Sequence, residues 1–204
     1  MKRLFYFLFV CSIGFIGCNK NFVSIPDKNF EQALIDLGYD DQINGKVLAE
    51  NIRSIDSLYV FSKNISDLTG IEAFTALTDL SCYDNQLTAL NLSNNTNLNY
   101  LECSWNNLTN LDASNSNDLY YLFCGWNNLT SLDLSNNTAL AELNCGNNQI
   151  TTLDLSHNTA LTGLLCFDNQ LTSLDLSNNT ALTQLNCDDN NFDCDALKAK
   201  YNLE

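Results

Sequence analysis

Leucines recur along the chain at a fixed spacing, with polar residues between them. A cysteine stands in the same register in six successive segments, and each step is 21 residues. An asparagine follows each cysteine three residues later, and a leucine precedes it by two. Six registers without an insertion or deletion indicate a repeat protein in which every unit forms one coil of a solenoid. The cysteines are Cys82, Cys103, Cys124, Cys145, Cys166 and Cys187.

Each unit consists of two half-units. The first reads LxxLxCxxN, as in residues 119–127, and the second reads LxxLxLxxN, as in residues 129–137. The fourth and sixth positions are two apart, so both side chains point to one side of a strand, and we expect that side to face the core. Successive coils then stack as a parallel ladder with strands about 4.8 Å apart. The second half of each coil is expected to form a short second strand or an extended segment.

Two asparagine columns mark the turns of the coils. Because backbone groups at buried turns need hydrogen-bond partners, we interpret both columns as structural. The first column is Asn85, Asn106, Asn127, Asn148, Asn169 and Asn190, and the second is Asn95, Asn137, Asn158 and Asn179, with Ser116 in place of one asparagine.

The LxxLxLxxN half-unit resembles the leucine-rich-repeat signature. Its nested duplication in 21 residues resembles the bacterial short-repeat class called IRREKO, and the stretch LTGIEAF at 68–74 resembles an internalin-type repeat. Residues 25–77 resemble the lead-in of leucine-rich-repeat proteins secreted by flavobacteria and their relatives. The resemblance implies a leucine-rich-repeat solenoid over 55–192, with a lead-in coil at 55–76 and six coils over 77–192, the last one partial. It implies little about activity, because activity depends on sites and not on folds.

The two ends of the solenoid are predicted to be covered by helices. Residues 18–54 form a linker and helical cap, with a helix within 26–39 that begins at Asp27. Residues 193–204 are expected to form a short capping helix. The predicted apolar stripe of the first helix is Phe30, Ala33, Leu34 and Leu37, and the second helix turns Leu197 and Tyr201 inward.

Residues 1–17 have the composition of a secretory signal peptide, with Lys2 and Arg3 before an apolar run. The stretch FIGC at 15–18 resembles a bacterial lipobox, which implies lipid attachment at Cys18 and an exported lipoprotein anchored in the outer membrane. An ordinary cleaved signal peptide is the alternative. Removing residues 1–17 changes the net charge from −15 to −17, which argues against nucleic-acid binding.

The cysteine column admits a structural and a chemical interpretation. We predict six reduced, buried thiols that act as small apolar spacers. Metal binding or redox chemistry is the alternative, but the chain has no C-x₂-C pair, which such metal sites commonly use. A disulfide between Cys187 and Cys194 at the C-terminal cap remains open.

Aromatic residues occupy outward strand positions that other coils fill with Asn, Glu or Gly. They define what we term the aromatic strand face, and both tryptophans of the chain belong to it. Such a surface predicts binding, because Tyr and Trp give large contact area at low entropic cost. Stacking between coils that only stabilises the sheet is the alternative. The residues of the face are Tyr100, Trp105, Tyr121, Phe123 and Trp126, extended by Tyr83 and Phe167.

A second outward column is acidic. Neighbouring carboxylates about 5 Å apart repel by roughly 1 kcal/mol even at the dielectric constant of water. Screening, hydrogen bonds from Ser or Thr, or bound Ca²⁺ could offset this repulsion, and a solvated acidic face is the simplest interpretation. This Asp column is Asn91, Asp112, Asp133, Asp154 and Asp175.

Catalysis is not expected. The single histidine, His157, stands in a turn where sister coils have Asn, and no nucleophile motif accompanies it. The sequence therefore predicts a non-enzymatic, cofactor-free recognition module of the cell envelope that binds a protein partner through the aromatic strand face. A glycan-binding lipoprotein and a structural spacer without a ligand are the alternatives.

Overall fold

The computed structural model describes residues 21–203, so the predicted signal peptide and the predicted lipid attachment site at Cys18 lie outside the described residues. The first elements form a small cap. Strand β1 (Phe22–Ser24) pairs antiparallel with β2 (Lys46–Leu48), helix α1 (Lys28–Asp36) lies between them in the chain, and α2 (Ala49–Ile52) follows. The strand pair and α2 were not foreseen, because three-residue strands carry no readable period.

Asp27 caps the N-terminus of helix α1, as predicted. One carboxylate oxygen accepts hydrogen bonds from the backbone N–H groups of Asn29 and Phe30. The other accepts from the backbone and hydroxyl of Ser66, which ties the cap to the first coil. The prediction for Leu37 was wrong: its side chain is exposed, because α1 ends at Asp36 and Leu37 lies in the turn beyond the packed face.

The solenoid is a seven-stranded parallel sheet whose strands follow one another in chain order. The central leucine of each strand pairs in register with that of the next strand, from Leu58 to Leu185. The second half of each coil forms no strand among the described residues. The strands are β3 (Ser57–Tyr59), β4 (Asp79–Ser81), β5 (Tyr100–Glu102), β6 (Tyr121–Phe123), β7 (Glu142–Asn144), β8 (Gly163–Leu165) and β9 (Gln184–Asn186).

The first asparagine column holds neighbouring coils together. The Asn127 Oδ1 accepts the backbone N–H of Leu108 in the preceding coil at 2.9 Å. Its Nδ2 donates to the carbonyl oxygens of Cys103, Cys124 and Gly125 at 3.1–3.2 Å. Each asparagine therefore satisfies buried backbone groups on two coils, as predicted.

The second asparagine column also donates between coils. The Asn137 Nδ2 donates to the carbonyl oxygens of Ala113 and Ser116 at 3.0 and 2.8 Å. Ser116, which replaces the asparagine of its coil, donates its hydroxyl to the carbonyl oxygen of Asn95 at 3.3 Å. The Oδ1 atoms of this column have no partner among the described residues, unlike those of the first column.

The C-terminal end corrects the prediction of six reduced cysteines. Cys187 forms a disulfide with Cys194, with their Cα atoms 5.6 Å apart, and the five earlier cysteines of the column are free and buried. Helix α3 (Cys194–Tyr201) follows the last coil, and its first residue, Cys194, lies next to Cys187 of that coil. Leu197 and Tyr201 pack against the core, as predicted.

Candidate binding face

The two tryptophans stand at a turn position with an unusual backbone. The residue two after each inward cysteine has a positive φ, which is 55° at Trp105 and 52° at Trp126. This left-handed conformation costs roughly 1–3 kcal/mol for residues other than glycine, and Asn and Asp tolerate it best. The other coils follow that preference. Their residues at this position are Ser62, Asp84, Asn147, Asp168 and Asp189.

The indoles stack on each other along the solenoid axis. Their ring centroids lie 4.8 Å apart and their planes differ by 8°. Trp126 also meets the ring of Phe167 edge to face at 5.5 Å. Phe167 reaches Trp126 by lying over Gly146, where a Cβ atom would be 2.5 Å from the phenyl ring. Trp105, Trp126 and Phe167 therefore form one continuous row.

A second group lies at the start of the strands. The Tyr100 ring lies 6.1 Å from that of Tyr121 and 5.9 Å from that of Phe123, and Tyr120 adds an edge contact to Tyr121 at 4.8 Å. Tyr121 is exposed, whereas Tyr100 and Phe123 are half-buried by their neighbours. These contacts account for part of the aromatic area, and the remainder faces solvent.

Tyr83 belongs to neither group. Its ring stacks on Phe61 of the lead-in coil, with centroids 4.9 Å apart and planes 12° apart. Phe61 and Tyr59 are both exposed on the same side of the sheet, and the sequence interpretation missed them. Aligning Leu58 with the central leucine of the later coils would have placed them, because Tyr59 pairs in register with Ser81.

The polar tips of the face are unpaired within the described residues. No protein group there accepts a hydrogen bond from the indole N–H of Trp105 or Trp126, and none bonds the hydroxyl of Tyr83, Tyr100 or Tyr121. Exposed aromatic rings with free donors are suited to an external ligand.

Carboxylates accompany the aromatic rings. Glu102 is half-buried next to Tyr100, and it accepts the backbone N–H of Ser104 at 3.1 Å. Burial raises the pKa of the Glu102 carboxyl above its usual range. Burial, and after it the charge of Glu102, raises the pKa of the Tyr100 hydroxyl. The face therefore holds a negative charge that is only partly solvated.

The Asp column is built differently. The Asp133 Oδ1 accepts the backbone N–H of Ser135 at 3.0 Å, and Asp154 bonds Ser156 in the same way. Hydrogen bonds from the backbone and side chain of those serines lower the pKa of both carboxyls. Asn91 makes the same bond without a charge, so the turn needs an oxygen and not an anion. Residues 21–203 contain no group of three or more His, Cys, Asp or Glu side chains placed to hold a metal ion.

His157 lies in an exposed turn beside this column. Burial raises the pKa of the column cysteines, to about 12 at Cys82 and Cys124, which keeps these thiols protonated and unreactive. Over the part of the chain that is described, no helix has the length and apolar character to cross a membrane.

Comparison with known proteins shows which fold the solenoid has. No family model matches the chain. The chain is 40% identical over 71 residues to internalin J of Listeria monocytogenes, a segment that covers 35% of this chain and 8% of internalin J. The solved functional domain of internalin J, described as including a cysteine ladder, superposes with a TM-score of 0.56 at 34% identity. That match covers 84% of this chain and 48% of the domain, so the chain spans about half its length.

Two further solved structures show the same fold. Internalin C2 of Listeria monocytogenes superposes with a TM-score of 0.63 at 24% identity, and the match covers 88% of this chain and 94% of that one. A leucine-rich-repeat protein of Leptospira interrogans superposes with a TM-score of 0.55 at 20% identity over 76% of this chain and 49% of that one. The chain therefore has the leucine-rich-repeat solenoid fold, as predicted, with internalin-like relatives.

Proposed function

We propose that this protein is a non-enzymatic recognition module of the cell envelope that binds a protein partner through the aromatic strand face. The observation that carries the proposal is the placement of Trp105 and Trp126 at left-handed turn positions. The fold does not require them, because other coils close the same turn with Asp, Asn or Ser. Rings that are unfavourable for the turn and partly exposed are better explained by a ligand than by stability.

The shape of the face supports a protein more than a glycan. A glycan-binding surface presents flat ring faces to solvent, on which sugar rings stack. Here the ring of Trp126 lies between those of Trp105 and Phe167, so of the two indoles only Trp105 has a ring face free for stacking. The seven in-register strands provide the extended surface by which solenoid repeats bind other proteins.

A peptide-display selection tests this proposal. We would select random peptides on the purified protein and counter-select on the double variant Trp105→Asn, Tyr121→Gln. Both replacements occur at the same positions of other coils, as Asn147 and Gln184, so the fold should tolerate them. The control variant is Ile43→Ser, which removes an exposed apolar side chain of the N-terminal cap, outside the aromatic strand face.

The proposal expects peptides that bind the wild-type and Ile43→Ser proteins and not the double variant. Retention on polysaccharide columns that depends on the same two residues would instead support the glycan alternative. A selection that yields no peptide dependent on the face, together with no polysaccharide retention, would favour the spacer.

The proposed location in the envelope rests on the sequence of residues 1–18. Export through a lipoprotein signal predicts that the processed protein carries lipid at Cys18 and fractionates with membranes. The Cys18→Ser variant should fractionate without them, since one acyl-bearing residue would supply the anchor. Unchanged membrane association of this variant would contradict the anchor but not the binding face.

A further inference from the structure

The solenoid carries charge of one sign. No lysine or arginine occurs between Lys63 and Lys198, whereas acidic residues occur in every coil. The cations at the two ends already have partners: Lys63 lies 3.6 Å from Asp36, and Lys198 lies 3.9 Å from Asp188. The aromatic strand face between them therefore offers anions and rings but no cation of its own.

A carboxylate, that of Asp84, precedes Trp105 along the solenoid axis. It occupies the turn position of the coil before Trp105, and the backbone of the next residue, Asn85, bonds the Trp105 carbonyl at 3.1 Å. Trp126 covers one face of the Trp105 indole, and Asp84 stands at the same turn position in the coil on the opposite side. Trp105 is 55% exposed, and Asp84 is short and exposed, which leaves the space above it open.

The Asp84 carboxylate is held in place but not neutralised. The hydroxyl of Ser62 donates to its Oδ2 at 2.6 Å, and its Oδ1 has no partner among the described residues. Glu102 is a second carboxylate without a cation, half-buried next to Tyr100. A half-buried carboxylate is costly to keep charged, and an incoming cation would offset that cost.

We propose that the aromatic strand face binds an arginine-bearing segment of a partner protein, with one guanidinium stacked on the free face of the Trp105 indole and paired with Asp84. A guanidinium suits this position because it is planar, stacks on aromatic rings and pairs with carboxylates through two N–H groups. Glu102 receives a second cation of the same segment. This inference rests on the proposed function and adds the chemistry of the partner.

Tryptophan fluorescence tests the inference, because both indoles of the chain lie in the face. The probe is a tetra-arginine peptide, and its control is the same peptide with citrulline, which keeps the shape and removes the charge. Titrations at physiological salt reduce non-specific attraction to the acidic surface. Four proteins are compared: wild type, Trp105→Asn, the double variant Asp84→Asn with Glu102→Gln, and the double variant Asp133→Asn with Asp154→Asn.

The two double variants are a matched pair, since each removes two negative charges. Asn147, Asn144 and Asn91 stand at the positions of Asp84, Glu102 and Asp133 in other coils, so the replacements suit the fold. We expect the arginine peptide to bind the wild-type protein saturably. Its affinity should be at least tenfold weaker for the double variant Asp84→Asn with Glu102→Gln, and at least tenfold weaker for Trp105→Asn. The Asp-column pair should change it less than twofold, and the citrulline peptide should not bind.

Three results would overturn the inference. The first is no binding of the arginine peptide, and the second is equal binding of the citrulline peptide. The third is an equal loss of affinity in the two double variants, which would indicate general attraction to an acidic surface. The display selection separates this failure from failure of the proposed function. Face-dependent peptides without basic residues would leave the proposed function intact, whereas no face-dependent peptide would remove both.

Discussion

The strand side and the Asp-column side of the solenoid both face solvent and both repeat every 21 residues, yet they differ in uniformity. The Asp column has Asp or Asn in each of its five coils, and each makes the same bond to a serine N–H. The strand side changes from coil to coil, from Tyr100 and Tyr121 to Glu142 and Gly163. Uniform positions serve the turn, and positions that depart from the repeat are free for a ligand.

The largest effect on stability should come from the uniform positions. Asn127→Ala removes one acceptor and one amide that serve four buried backbone groups on two coils. We expect the free energy of unfolding to fall by about 3 kcal/mol, because unpaired buried backbone groups cost roughly 1–3 kcal/mol each. Urea denaturation measures this loss. Asn128→Ala, at an exposed neighbour, should change it little, and equal losses would contradict the structural role of the column.

The next effect concerns the C-terminal cap. Cys194→Ser removes the disulfide to Cys187, which closes a loop with a sequence separation of 7. Loop-closure entropy predicts a loss of about 2 kcal/mol. Thermal unfolding of the variant and of the reduced wild-type protein should show similar decreases. If reduction still lowers the thermal stability of the Cys194→Ser protein, the loss on reduction comes from another cysteine.

At the aromatic strand face, a substitution should change ligand affinity more than it changes the free energy of unfolding. Trp105→Asn loses a stacked pair worth about 0.5–1.5 kcal/mol, but asparagine suits the left-handed turn better. We expect stability within about 1 kcal/mol of wild type and affinity for a face-dependent peptide at least tenfold weaker. Denaturation and Trp126 fluorescence give the two values on one protein. A large loss of stability with unchanged affinity would support the stacking alternative.

Glu102 predicts how binding depends on pH. Burial raises the pKa of the Glu102 carboxyl in the folded protein. Because ionisation is then less favourable in the folded than in the unfolded state, stability is lost as the pH rises through the folded-state pKa. A bound cation favours the charged form. Affinity for an arginine peptide should therefore fall as the pH drops through the pKa of Glu102, which lies above that of an ordinary glutamate. The affinity of the Glu102→Gln protein should lack this pH dependence. If affinity falls equally in the wild-type and variant proteins, a titrating group other than Glu102 is responsible.

The smallest effect is expected in the Asp column. Asp133→Asn keeps an oxygen for the Ser135 N–H, as Asn91 does for Ser93. Stability near neutral pH should be unchanged within error. Because hydrogen bonds lower the folded-state pKa of Asp133, its contribution is present above the unfolded value and lost as the pH falls through the folded one. The Asp133→Asn protein should therefore lose less stability than the wild-type protein as the pH is lowered, as measured by acid denaturation. A clear loss at neutral pH would indicate that the charge itself matters.

The sequence predicted those features that repeat. Leucine and cysteine spacing placed the core and the strand register. The first asparagine column donates and accepts as predicted, whereas the second column donates but leaves its Oδ1 atoms without a partner among the described residues. Features that occur once were harder to predict. The bond between Cys187 and Cys194 depends on the position of α3, and the cap strands at Phe22 and Lys46 are too short for a pattern.

The candidate face was only partly predictable for the same reason. Alternation along the strands showed which aromatic side chains point outward, but not how the rings meet. The left-handed backbone at Trp105 and Trp126, the position of Phe167 over Gly146 and the pairing of Tyr83 with Phe61 depend on three-dimensional contacts. Those contacts decide which ring faces remain free.

The most direct test of the central claim is the affinity of the Trp105→Asn protein for a display-selected peptide, measured where the variant is fully folded. The proposed binding face predicts at least a tenfold loss relative to wild type and to Ile43→Ser. An unchanged affinity would contradict it and would leave the tryptophans as stacking residues of the sheet.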